Sequence, residues 1–255
     1  MIDDPLEARD QILARLRRAL SGARSVFRDR SGPSTPPATP TAVTRADGDR
    51  RSLAKAFGTK LAEVSGSYEF LEDAAEASER LVQLARAWSA DDDGDTEADD
   101  APAIEVLSWA PLALPIENLG PRLKESGISL FVPEDLHDES TRARAARATV
   151  GLTGAEAAFA GTGSIVVASG RGKSRAASLL PLRHIVLVPM SRIHPTLEAW
   201  LSNLRREQAL GSFLRVSGQI VFITGPSKSA DIELDLTLGV HGPRLVHALI
   251  FDDTW

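Results

Sequence analysis

The sequence predicts an α/β protein: a three-layer α/β/α sandwich with a mostly parallel sheet, preceded by an N-terminal helical arm. Three observations predict it. Residues 104–109 and 128–132 are short apolar runs with a helical pattern, 116–125, between them, which makes a βαβ unit and hence parallel pairing. Strand-like and helical segments go on alternating beyond it, as a layered α/β sheet requires. The chain has 255 residues, 43% hydrophobic and 25% charged, enough to bury one substantial core.

The elements follow in order. Leu6, Leu13, Leu16 and Leu20 recur at helical spacing, with Arg9, Arg15, Arg17 and Arg18 between them, so residues 5–20 predict an amphipathic helix. The Pro-, Ser- and Thr-rich stretch 31–40 ends it. Residues 1–50 thus form an arm and linker, and 51–255 an α/β domain. A short amphipathic helix cannot bury its stripe alone, so the arm docks on its own domain or on another subunit, which would make a homo-oligomer. Residues 61–64 read as a strand. Ala74, Ala77, Leu81, Leu84 and Trp88 share one face of a helix. The acidic run 91–100 reads as a solvated loop, and Pro102 at its twelfth position excludes an EF-hand. A helix over 139–150 follows, then strands at 164–168 and 185–188 separated by a basic loop. Leu197, Trp200, Leu201 and Leu204 predict a helix with Pro195 near its start. The last strands are 219–224 and 247–251.

Composition narrows the function. A formal net charge of −6 lacks the basic footprint of a nucleic-acid binder. There is no cysteine, which excludes a disulfide framework, a thiolate nucleophile, and an iron–sulfur or zinc site held by this chain's own thiolates. No apolar run approaches the roughly 20 residues that span a bilayer, and the polar N-terminus lacks a signal-peptide core. The chain therefore reads as cytoplasmic, with no membrane contact and no cofactor of its own.

Several constellations invite chemistry. Gly170-Arg-Gly-Lys-Ser174 lacks the glycine a Walker motif needs five places before Gly172, where Val167 stands. Arg171, Lys173 and Arg175 could instead meet an anionic ligand from a mobile loop, or be the solvated charges of a hairpin. Gly161-Thr-Gly-Ser164 suits a tight hairpin or a ligand-contacting turn. The histidines, His137, His184, His194, His241 and His247, show no i, i+4 pairing, so no metal site is expected. His184 opens a strand, and His241 sits in a Gly- and Pro-rich loop.

The stretch 224–243, TGPSKSADIELDLTLGVHGP, carries the most information. It follows the apolar run 219–224, which reads as a buried strand ended by Gly225-Pro226. Ser227 or Ser229 could cap a helix there, with Asp231 and Glu233 in or near its first turn. The mix of β-branched and Leu residues leaves helix or strand open over 232–238. A strand delivering a small polar turn to a helix start is where open α/β sheets hold anions. Ser227, Asp231 and His241 are thus expected to converge at the carboxyl edge of the sheet. Backbone N–H groups around Ser227 would hold a carboxylate or phosphate, with His241 orienting it.

These motifs in order resemble the lactate-utilisation (LUD) domain family, specifically its LutC-type subunits. The likeness rests on Gly151-Leu-Thr-Gly154 with Gly161-Thr-Gly-Ser164, on Ser178-Leu-Leu-Pro181 followed by His184, and on Gly225-Pro-Ser227, Ala230-Asp-Ile-Glu233 and Gly239-Val-His-Gly-Pro243. The resemblance implies a fold similar to the sugar-phosphate isomerase and CoA-transferase group. It implies an accessory role in oxidising L-lactate to pyruvate, beside partner subunits that carry iron–sulfur clusters. The family usually shows Glu-Thr-Gly where this chain has Gly161-Thr162-Gly163, which removes the carboxylate a CoA-transferase mechanism would use. The ligand-binding candidates are Thr162, Gly163, Ser178, His184, Ser227, Asp231, Glu233 and His241, for a small anionic ligand. The alternative is a stand-alone CoA-transferase- or isomerase-like enzyme acting on a small acid or sugar phosphate, with Asp231, Glu233 or His241 as acid–base groups.

Overall fold

A computed structural model describes residues 9, 11–15, 17, 18, 48–90, 104–230, 236–239 and 241–253. The chain divides into two compact units, Met1–Ala42 and Val43–Trp255. In the first, every described residue is helical, as the leucine spacing predicts. The linker 31–40 and the acidic run 91–100 lie outside the described residues.

In the second unit the strands are β1 (Ser67–Leu71), β2 (Ile104–Ser108), β3 (Ile128–Phe131), β4 (Val150–Gly154), β5 (Ala157–Phe159) and β6 (Ser164–Ser169). They continue as β7 (Arg183–Pro189), β8 (Ile193–His194), β9 (Gln219–Ile223), β10 (Lys228–Ala230), β11 (Leu236–Leu238) and β12 (Leu245–Phe251). The helices are α1 (Arg50–Glu63), α2 (Ala74–Ala90), α3 (Leu119–Glu125), α4 (Glu139–Arg147), α5 (Leu197–Arg206) and α6 (Leu210–Val216). Among the described residues no helix is long and apolar enough to cross a membrane.

Six strands form one sheet in the order β1-β12-β7-β4-β2-β3, and every pair in it is parallel. The expected βαβ unit is present as β2, α3 and β3. Helices flank both faces. On one, Trp88 of α2 meets the His247 ring edge-on at 5.9 Å. On the other, Gly58 of α1 lies against the Tyr68 ring, and Arg144 of α4 stands 4.1 Å over the Phe131 ring. This is the predicted α/β/α sandwich around a mostly parallel sheet.

Two local readings change. Residues 61–63 end α1 and do not start a strand: Asp49 caps the helix by accepting from the Ser52 N–H at 2.8 Å, and Leu53, Phe57 and Leu61 form one buried i, i+4 stripe. The helix expected over 139–150 stops at Arg147, because Val150 begins β4, buried at every position.

The antiparallel part is the larger departure. Strands 164–168 and 219–224 do not join the main sheet. A second, four-stranded sheet has the order β8-β5-β6-β9, with β5 and β9 antiparallel to β6 and β8 parallel to β5. The turn at 160–163 makes β5 and β6 a hairpin. Consequently β9 is an edge strand, partly exposed where burial was expected, with Phe222 49% exposed. An aromatic cluster seals one side of this sheet: Phe159 and Trp200 lie 5.9 Å apart, and Trp200 meets Phe213 at 5.4 Å.

One polar network crosses the main sheet under α2. The Ser67 hydroxyl lies 2.8 Å from His247 Nδ1, Glu69 Oε1 is 3.3 Å from His247 Nε2, and Arg80 grips Glu69 through Nε at 2.5 Å and Nη2 at 2.8 Å. Arg80 holds the Glu69 carboxyl below its ordinary range, against desolvation that raises it. Replacing Arg80 by Ala is expected to cost no more than about 1 kcal/mol, since both groups are roughly one-third exposed. Urea unfolding checks this, and a much larger loss would mean that the pair is desolvated in solution.

Candidate functional site

A short 3₁₀ turn, Arg175–Ser178, presses onto the main sheet at Gly151, where an added Cβ would sit 2.0 Å from the Ala177 carbonyl oxygen. Only glycine lets this turn approach β4 so closely. The approach carries Ser178 inward, where its hydroxyl donates to the Arg175 carbonyl at 3.1 Å. His184, the second residue of β7, pairs in register with Gly151 on one side and Val246 of β12 on the other. Its Nε2 lies 2.9 Å from the Thr153 hydroxyl, and its buried Nδ1 has no hydrogen-bond partner.

The stretch after β9 supplies the opposite wall. Gly225 turns with φ +81°, and an added Cβ would meet the Val64 carbonyl oxygen at 2.3 Å. Among the described residues of this stretch no helix starts. β10 pairs antiparallel with β11, so Lys228 faces Leu238 and Ala230 faces Leu236. The Ser227 N–H donates to the Pro243 carbonyl at 2.9 Å, and the Gly239 N–H donates to the Ser227 carbonyl at 2.9 Å. The expected ring of free N–H groups with a helix dipole behind it is therefore replaced by a hairpin base whose Ser227 N–H is already paired.

Between these walls lies a cavity of about 120 Å³, lined among others by Ser178, His184, Ser227, His241, Ile223 and Val246. At about 30 Å³ per water it holds roughly four waters, the size of a ligand with a few heavy atoms. It opens at the amino ends of β7 and β12, not at the carboxyl edge of the sheet where the site was expected.

Four of the eight expected residues thus come together: Ser178, His184, Ser227 and His241. Thr162 and Gly163 do not join them. Thr162 donates to the Ser164 hydroxyl at 2.9 Å, which lies 2.8 Å from the Thr224 hydroxyl, at the tip of the β5–β6 hairpin. Gly163 is packed on the α1 backbone, where a Cβ would stand 2.4 Å from the Leu61 nitrogen. Asp231 and Glu233 lie outside the described residues.

The cavity is lined mostly by apolar surface, from Leu179, Ile223, Pro243 and Val246 among others, with a few polar groups set into it. Burial pushes the His184 pKa down to about 3, so its imidazole is neutral at ordinary pH and offers hydrogen bonds without charge. Ser178 and Ser227 add hydroxyl oxygens, and His241 stands exposed on the rim. Among the described residues no group of three His, Cys, Asp or Glu side chains is placed to hold a metal ion. The Ser67–His247–Glu69 network was not foreseen, since Ser67 and His247 are 180 residues apart. Single-sequence spacing carries no signal for it.

Fold and cavity define an α/β/α domain with an annexed antiparallel sheet. The chain belongs to the LUD domain family, whose profile matches residues 54–251. It is similar to proteins named Lactate utilization protein C. Identity is 36% over 140 residues with that of Halalkalibacterium halodurans, covering 52% of this chain and 60% of that protein. It is 35% over 163 residues with that of Bacillus subtilis, covering 58% and 66%. With that of Shouchella clausii it is 30% over 202 residues, covering 74% and 86%. The matched regions thus span slightly under two thirds of the first two relatives. A crystal structure of a DUF162 family protein from Deinococcus radiodurans superposes with a TM-score of 0.47 at 19% identity, covering 80% of this chain and 99% of that one.

Proposed function

We propose that this chain is a non-redox accessory subunit of an L-lactate utilisation system, and that it binds a small anionic ligand in the cavity between Ser178, His184, Ser227 and His241. The lactate role is supported by the similarity to proteins named Lactate utilization protein C. The accessory role is supported by the lack of cysteine: redox centres held by thiolates would belong to companion iron–sulfur subunits. The observation that carries the ligand reading is the meeting of four polar side chains from three separate segments around one cavity of about 120 Å³. A three-carbon acid suits that volume. Its carboxylate would lie toward the His241 rim, and its hydroxyl or keto oxygen would reach the unpartnered His184 Nδ1. The stand-alone enzyme gains less support: of its acid–base candidates His241 lines the cavity, while Asp231 and Glu233 lie outside the described residues.

Thermal-shift measurements with lactate, pyruvate, phosphate and acyl-CoA test this reading. Lactate or pyruvate at millimolar concentration is expected to raise Tm, and His241→Ala is expected to remove most of that rise. No response to either acid would overturn the ligand reading. Co-purification from the native source, with lactate oxidation assayed with and without this chain, tests the accessory role.

A further inference from the structure

We propose a second ligand site at the opposite, carboxyl edge of the main sheet, built to take a polyhydroxylated monocarboxylate. The sheet order reverses between β4 and β2: the chain leaves β2 toward β3 on one side and leaves β4 toward β7 on the other. Such a reversal leaves a crevice outside the strand ends, the usual ligand position in open α/β sheets. A cleft of about 730 Å³ lies beside this point, beyond the carboxyl ends of β2 and β3, between residues 132–137 and 170–174 and lined also by Ala110. That volume falls within the range of about 300–1,000 Å³ typical of ligand sites.

The basic wall is preformed. Gly170 and Lys173 exchange backbone hydrogen bonds at 3.1 and 2.9 Å, and the Ala110 N–H donates to the Gly172 carbonyl at 2.7 Å. Lys173 Nζ donates to Glu156 at 2.5 Å and lies 5.0 Å from the centre of the Trp109 ring. Lys173 is thus a strut with its charge balanced. Arg171, at the tip of the turn, is exposed and has no partner among the described residues. Its guanidinium is the free cation of this wall, and its fork matches a carboxylate.

The facing wall carries Glu134 and Asp135. Asp135 spends one carboxylate oxygen on the His137 N–H at 2.8 Å, while Glu134 is exposed. Carboxylates accept hydrogen bonds from hydroxyls, but they repel a dianion across the cleft. A phosphate is therefore disfavoured, and a single carboxylate on Arg171 with hydroxyls reaching Glu134 and Asp135 fits both walls. The site stands apart from the inner cavity and does not rest on the proposed function.

Isothermal titration of the full chain with gluconate, glucose, lactate and inorganic phosphate tests it. Gluconate is expected to bind and glucose to leave no heat. Arg171→Ala should weaken gluconate about tenfold or more, Arg171→Lys less, and Glu134→Gln severalfold. His241→Ala, at the other edge of the sheet, should leave gluconate binding unchanged, which separates the two sites. Absence of gluconate binding, or binding indifferent to Arg171→Ala, would overturn the site. Phosphate binding more tightly than gluconate would overturn the assigned ligand class.

Discussion

Replacing Gly151 by alanine is expected to destabilise the protein by about 3 kcal/mol or more, a loss typical of severe overpacking in a core. The added Cβ would stand 2.0 Å from the Ala177 carbonyl oxygen and 2.9 Å from Pro181 Cγ. Neither can give way cheaply. Ala177 is wholly buried in the turn Arg175–Ser178, and β4 is hydrogen-bonded on both sides, to β2 and to β7. The turn must therefore lift off the sheet, and it carries Ser178 away from His184. Urea unfolding measures the loss, and a variant within 1 kcal/mol of the parent would show that the turn is not packed as described.

Acid should weaken the fold through His184. Its imidazole titrates near 6.5 when unfolded, whereas burial holds it at about 3 in the fold. Between those values the unfolded chain binds a proton that the folded chain refuses, so stability is complete above the unfolded pKa and falls as pH drops toward the folded one. From pH 7 to pH 5 this single group should remove about 2 kcal/mol. Burial also lowers His194 and His247, which adds to the same trend. Urea unfolding at both pH values is expected to show the loss, and His184→Gln should remove about 2 kcal/mol of it. An equal slope in parent and variant would contradict a buried neutral imidazole.

The main sheet and its helices were legible where periodicity was strong. The β2–α3–β3 unit, α2 and α5 follow directly from spacing, since each buries one regular face. β4 was not foreseen: the helix reading ran through Val150, and Gly151 and Gly154 interrupt the apolar pattern of a strand. They are glycines because the 3₁₀ turn packs on the first and Pro115 on the second, where a Cβ would meet Pro115 Cδ at 2.8 Å. Those are tertiary contacts that no local pattern reports.

The second sheet was missed for a similar reason. A short apolar strand looks alike in either sheet, and only pairing decides which sheet it joins. The stretch after Ser227 shows competing signals. Capping residues and carboxylates suggested a helix start, while Ile232, Leu234, Leu236 and Leu238 alternate with polar residues in the period of a strand. The strand period prevails at 236–238, which pairs with β10. The ordered motifs nevertheless found Ser178, His184, Ser227 and His241, and the sheet register explains why. Adjacent starts of β7 and β12 bring His184 and Val246 side by side, and Pro243, two residues before β12, anchors the Ser227 loop.

The most direct test is ¹⁵N NMR of the histidine imidazoles during titration with lactate or pyruvate. The proposed site predicts that the His184 Nδ1 and His241 signals move in a saturable way, and that His241→Ala weakens the effect on His184. Imidazole signals that stay fixed through millimolar acid, while the protein remains folded, would contradict it.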